Sequence, residues 1–243
     1  MVHRLALIVL CSSLVFGQAA KTTKSGAAKA PASTTGHPTA ILHTTAGDMT
    51  CELFPDKAPK AVANFIGLAT GKKDWKNPST GQTMHGKALY DGVIFHRTIP
   101  GFVIQAGDPS GTGSGDVGIE FEDEPSDLLY DRPGRLGMAN HGPNTNGSQF
   151  FITEVPFPSL NPKPGHVYTI FGQCDDASVE LVKKIARMPC TMGACNPNNS
   201  TPADPVKIKH IEIRNAGGAA KKPGTAKKSG TTKAAPKPTA SPK

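Results

Sequence analysis

The chain has no apolar run long enough to cross a bilayer. Leu5–Phe16, its mostly apolar stretch near the start, is twelve residues, whereas a helix through a hydrocarbon core needs about 20. There are no paired CxxC motifs and no His pair at ligand spacing, which argues against a bound metal. No GxSxG elbow surrounds Ser148, so a hydrolase nucleophile is excluded. The glycine-rich run Gly111–Gly115 is followed by Ile119-Glu120-Phe121-Glu122 and not by a helix, so it predicts a surface turn rather than a phosphate cradle. No internal repeat is present. A basic binding face is missing too, although the net charge is +8 and the pI about 9.3. Residues 37–216 hold 16 Lys/Arg against all 19 Asp/Glu, a net of −3. The positive charge belongs to the two ends, which excludes a compact nucleic-acid-binding domain in the middle.

What is present at the ends has its own logic. His3 and Arg4, the Leu5–Phe16 run and the small-residue site Gly17-Gln18-Ala19 predict a secretory signal over residues 1–20. An uncleaved anchor is the alternative. Leu10 stands before Cys11 where a lipid-anchored precursor needs a small residue. Residues 21–37 and 216–243 are Lys, Thr, Ala, Ser, Gly and Pro with almost no large apolar groups. They cannot bury enough surface to offset chain entropy, and are expected to be a disordered linker and tail. The tail's lysines make it a solvated tether or a weak polyanion contact. Beyond the leader lie four cysteines, Cys51, Cys174, Cys190 and Cys195. An even count in an exported chain permits disulfides. Cys190 and Cys195 bracket a short loop whose closure costs little entropy, and predict one bridge. Cys51 and Cys174 are open between a second bridge and two small core side chains.

Between the ends the pattern is mostly of period two. Thr39–Thr44 and Met49–Phe54, joined by Ala46-Gly47-Asp48, predict a hairpin. Short strands are predicted at Val93–Arg97, Phe102–Ala106, Ile119–Phe121, Arg135–Ala139, Gln149–Thr153, Val167–Phe171 and Val206–Ile213. Apolar residues at helical spacing predict helices over Lys57–Ala69, with Pro59 harmless in its first turn, and over Ala177–Ala186. Residues 70–88, with the only tryptophan, Trp75, predict a polar loop. The sum is mainly β: a closed, eight-stranded antiparallel barrel capped by two α-helices, spanning residues 38–215.

Three segments carry the chemistry. They are Phe95-His96-Arg97-Thr98-Ile99-Pro100-Gly101-Phe102-Val103-Ile104-Gln105-Ala106-Gly107-Asp108, then the run from Gly137-Met138-Ala139-Asn140 through Gly147-Ser148-Gln149-Phe150-Phe151-Ile152-Thr153, and then Tyr168-Thr169-Ile170-Phe171-Gly172. Together, and in this order, they resemble the cyclophilin family of peptidyl-prolyl isomerases. The resemblance implies that Arg97 is the catalytic arginine and that Phe102, Val103 and Gln105 are pocket residues. It implies that Ala139 and Asn140 hold the substrate backbone, that Gln149 and Phe151 form the later wall, and that Leu160 stands on the rim. A prolyl ring would sit among Phe102, Val103, Phe151 and Leu160. No cofactor is implied. The implied partners are proline-containing polypeptides, and the enzyme is expected to be a monomer.

The same residues make physical sense without the resemblance. Rotation about an X–Pro bond passes through a twisted amide without resonance, over a barrier of roughly 20 kcal/mol. The twisted nitrogen regains a lone pair. A fixed cation aimed at it stabilises the twisted state over both planar ones, which is how differential binding lowers a barrier. Arginine stays protonated and its planar fork can be held rigidly. No proton needs to leave, so the rate is expected to be flat from about pH 6 to about pH 9. His96 is predicted to be a buried, hydrogen-bonded structural group rather than a base.

The chain departs from the family pattern in places. Val103 stands where many relatives carry methionine. Ser159 stands where some carry the tryptophan that contacts cyclosporin, so weak cyclosporin binding is expected. The segment Asn161–Tyr168 is longer than usual. Either His166 or Tyr168 fills the position of the family histidine, with Tyr168 preserving the distance to Phe171-Gly172. A scaffold that binds proline segments with incidental turnover is the alternative to a folding enzyme for exported proteins.

Overall fold

The computed structural model describes residues 36–215; the expected leader, most of the linker and the tail lie outside the described residues. The elements are β1 (Thr39–Thr44), β2 (Asp48–Leu53), α1 (Pro59–Ala69), β3 (Trp75–Lys76), β4 (Thr83–Met84), β5 (Arg97–Thr98), β6 (Val103–Ala106), β7 (Arg135–Met138), β8 (Phe150–Thr153), β9 (Ile170–Cys174), α2 (Asp176–Ala186) and β10 (Ile208–Arg214). A 3₁₀ turn covers Pro158–Leu160. Eight strands form one sheet in the order β10-β1-β2-β9-β7-β8-β6-β5, and every pairing is antiparallel. The sheet's ends meet along a short seam. Ile94, just before β5, bridges Lys207, just before β10, and Phe95 N donates to Val206 O at 2.9 Å. The expected barrel is therefore a curved sheet closed by a few bonds rather than by a full ladder.

Alternation along each strand sorts inside from outside. Ile104 and Ala106, Leu136 and Met138, and Phe150 and Ile152 are buried in the main core. Phe65 on α1 meets Phe150 edge-on at 5.5 Å and Phe171 at 5.3 Å, which docks the helix on that core. Ala58 gives α1 no side-chain cap; the Glu124 carboxylate supplies one, accepting from Lys60 N (2.9 Å) and Ala61 N (2.8 Å). In α2, Asp175 caps through Ser178 N at 2.8 Å. Among the described residues no helix is long and apolar enough to cross a membrane.

Several predicted elements move. The loop 70–88 contains the β3–β4 hairpin, anchored by buried Trp75, whose Nε1 donates to Lys87 O. Ile119–Phe121 is no strand; only Phe121 bridges, to Asn146, while its apolar side chains pack against the core. The predicted Val167–Phe171 strand begins three residues later. Val167 O is taken by the Asn140 side chain at 2.7 Å, and the ladder instead runs on to pair Gln173 with Glu52 and Cys174 with Cys51. Likewise Val93–Arg97 contributes a seam and then only the short β5. Both Cys190–Cys195 and Cys51–Cys174 are bridged.

Candidate active site

Val103 and Gln105 on β6 and Phe151 on β8 face away from the core. They pair in register, Gln105 opposite both Arg97 of β5 and Phe151 of β8. With Phe102, Ala139, Asn140, Leu160 and Tyr168 they line a cleft of about 120 Å³ on the outer face of the sheet. Val103, Tyr130, Phe151, Leu160 and Ile170 form a second apolar cluster beneath it, apart from the main core.

One cation stands in this apolar setting. Arg97 is half-buried, and its Cζ lies 5.6 Å from the centre of the Phe102 ring. Burial lowers its pKa from the ordinary arginine range, with Tyr168 opposing. A chain of amides fixes it: Arg97 Nη1 donates to Gln105 Oε1 (3.2 Å), Gln105 Nε2 to Gln149 Oε1 (3.0 Å), and Gln149 Nε2 to Gly113 O (3.0 Å). The glycine-rich turn that ends this chain is wrapped round the buried Asp108 carboxylate, which accepts from Ser110 N, Gly113 N and Gly115 N.

Of the predicted site residues, Arg97, Phe102, Val103, Gln105, Ala139, Asn140, Phe151, Leu160 and Tyr168 come together. Gln149 does not line the cleft; it stands behind Gln105 and faces an adjoining cavity. His166 is exposed on the Lys163–His166 turn, its ring perpendicular to that of Tyr168 at 4.7 Å between centres, and it is Tyr168 that lines the cleft. Ser159 is exposed on the 3₁₀ turn. His96 is 7% exposed, yet neither ring nitrogen has a hydrogen-bond partner among the described residues, contrary to expectation. Its ring packs on Gly113, where a Cβ would come within 3.1 Å of it.

Three contributors escape a reading of the sequence. Tyr130 is fully buried under the cleft, stacks on Phe151 at 5.7 Å and donates its hydroxyl to Tyr168 O at 3.1 Å. Phe157 packs on Phe102 at 4.5 Å. Gly137 leaves room for both floor rings: a Cβ there would collide with the Tyr130 hydroxyl and lie 2.7 Å from the Phe151 ring. The sole sequence clue to Tyr130 is the apolar Leu128-Leu129-Tyr130 triplet after an acidic run.

A half-closed barrel with two helices and an arginine set in an apolar outer cleft defines a class of enzyme, and the chain belongs to the cyclophilin-type peptidyl-prolyl cis-trans isomerases. The family described as cyclophilin type peptidyl-prolyl cis-trans isomerase/CLD matches residues 39–213. Within it, the chain is 47% identical over 176 residues to peptidyl-prolyl cis-trans isomerase A of Mycobacterium tuberculosis, a match covering 72% of this chain and 91% of that protein. It is 44% identical to peptidyl-prolyl cis-trans isomerase B of Streptomyces anulatus, over 72% of this chain and 95% of that one. Among solved structures, a cyclophilin type isomerase of Cryptosporidium parvum superposes with a TM-score of 0.59 at 37% identity, covering 74% of this chain and 98% of its own. The protein is an isomerase whose substrates are proline-containing polypeptides.

Proposed function

We propose that Arg97 is the catalytic group of this isomerase and that the enzyme serves the folding of exported proteins. Phe102, Val103, Phe151 and Leu160 grip the prolyl ring and exclude water, which strengthens the field of the guanidinium. Gln105, held from both sides by Arg97 and Gln149, and the backbone of Ala139-Asn140 hold one side of the bond while the other turns. The Asn140 side chain is occupied by Val167 O, so its backbone serves the substrate. As the amide twists, its nitrogen becomes an acceptor for the guanidinium, an interaction absent from either planar state. The observation that carries this reading is that Arg97 is the only charged side chain among the nine residues lining the cleft. A protease-coupled assay on a Pro peptide tests it. Arg97→Ala is expected to lose about 100-fold or more in kcat/KM, the usual cost of one preorganised donor, while peptide affinity measured by calorimetry is kept. Near-wild-type turnover in that variant overturns the assignment.

The leader-like residues 1–20 and the pairing of all four later cysteines support export, since disulfides persist in oxidising compartments. Fractionation of the producing cell, with N-terminal sequencing, is expected to give an extracytoplasmic chain starting at Ala20 or Lys21. A cytosolic chain retaining Met1 overturns this part. The enzyme acts as a monomer. The lysines of residues 216–243 contribute charge and no chemistry, so deleting 217–243 leaves turnover unchanged and removes salt-sensitive retention on an anionic matrix.

A further inference from the structure

The strand that carries Arg97 is two residues long and stands at the end of the sheet order. Its ladder partner is β6, through the register pairs Arg97–Gln105 and Thr98–Ile104. Catalytic groups need to be held to within about 0.5 Å, and a two-residue edge cannot do that alone. Support comes from the segment after α2. Thr98 N donates to Ser200 O at 2.9 Å. Side chains alternate along a strand, so Thr98 points away from the face that carries Arg97. It is 1% exposed, and its hydroxyl lies 3.4 Å from Cys195 Sγ and 3.8 Å from Cys190 Sγ. Bridged sulfurs carry no hydrogen, so the hydroxyl is the donor. Both cysteines are buried, and the segment around them is pinned by Cys190 N to Gly193 O (2.7 Å), Thr191 N to Thr201 O (3.0 Å) and Ala203 N to Pro189 O (2.9 Å). The bridge thus shapes the surface on which the back of β5 rests.

We propose that Thr98 and the Cys190–Cys195 bridge are positioning residues for the isomerase reaction, fixing Arg97 from behind. The inference rests on the reading of Arg97 as the catalytic cation. Of the four residues that grip the prolyl ring, three stand elsewhere, Val103 on β6, Phe151 on β8 and Leu160 on the 3₁₀ turn, and Phe102 lies in the turn between β5 and β6. Loss of the bridge is therefore felt in turnover rather than in binding.

The test uses the full-length chain, a Pro peptide, and separate measurements of kcat, KM and peptide affinity. For Cys190→Ser/Cys195→Ser, kcat is expected to fall about ten-fold, within the cost of a sub-ångström misplacement, with affinity and KM held. Thr98→Val keeps the bridge and the side-chain volume and is expected to lower kcat about three-fold, with Thr98→Ser restoring it. In an Arg97→Ala background the serine pair is expected to cost less than about two-fold, because the effect runs through the guanidinium. Wild-type kcat in the serine pair, a loss carried wholly by KM, or an equal loss without Arg97 overturns the proposal. Should the serine pair fail to fold, Thr98→Val decides alone, and full kcat there is fatal. Failure of the Arg97 reading shows itself separately, as retained activity in Arg97→Ala alone.

Discussion

Arg97 is held by neutral amides rather than by a carboxylate. A carboxylate partner would quench the field that a twisted amide needs, whereas an amide oxygen orients the guanidinium and leaves its charge intact. Gln105→Leu conserves approximate volume and removes two of the three bonds of the relay. Its kcat/KM is expected to fall about ten-fold, mostly through kcat, in the protease-coupled assay. His96 sets the pH behaviour. Burial holds its pKa below the ordinary 6.5, with Asp108 opposing and Arg97 adding to the depression. Above 6.5 the ring is neutral in both folded and unfolded chains. As pH falls below that value the unfolded chain takes up a proton that the folded one resists, so stability is lost through the window down to the folded value. Turnover is expected to stay flat from about pH 6 to about pH 9, because Arg97 keeps its charge and no proton leaves in the step. Urea midpoints are expected to drop as pH falls below 6.5, and His96→Leu to flatten that drop. An unchanged slope in the variant refutes the assignment.

Elements differ in how plainly they announce themselves. The apolar spacing in Val62, Phe65 and Leu68, and in Val179, Val182 and Ile185, is the face each helix buries, so both helices and their ends were legible within a residue or two. β2 alternates over its six residues and β1 and β10 do so in part, and all three were legible within two residues at each end. The short elements were not, because distant polar groups decide them. The Asn140 amide captures Val167 O and delays β9, and a seam bond rather than a ladder ends the segment before β5. The cleft lining was legible through the family motifs, but its underside, Tyr130 and Phe157, has no motif. The turn between β5 and β6 shows the same dependence. Glu154, 1% exposed, accepts from Gly101 N at 2.8 Å and pairs with Arg187 at the end of α2. Arg187 is half-exposed, so deleting the acid strands one backbone N–H rather than a buried cation. Glu154→Ala is expected to destabilise by about 1–3 kcal/mol in urea unfolding, with Glu154→Gln recovering part of it.

At the scale of the whole molecule, the two bridges divide the work between them. Cys51 and Cys174 are register partners on β2 and β9, in the middle of the sheet and 123 residues apart. Closing so long a loop restricts the unfolded chain by roughly 5 kcal/mol in the chain-entropy account, against roughly 2 kcal/mol for a five-residue loop such as Cys190–Cys195. The long bridge lies among core side chains, 0% and 2% exposed, and is absent from the cleft lining. Cys51→Ala/Cys174→Ala is therefore expected to lose about 2–5 kcal/mol of stability by urea unfolding while its folded fraction keeps wild-type kcat. The Cys190–Cys195 variant is expected to show the reverse balance, a smaller shift in midpoint and a larger loss of turnover. Equal effects of the two pairs on both stability and kcat would mean that neither bridge has a separate role, and that closure of the sheet and placement of Arg97 are one cooperative property.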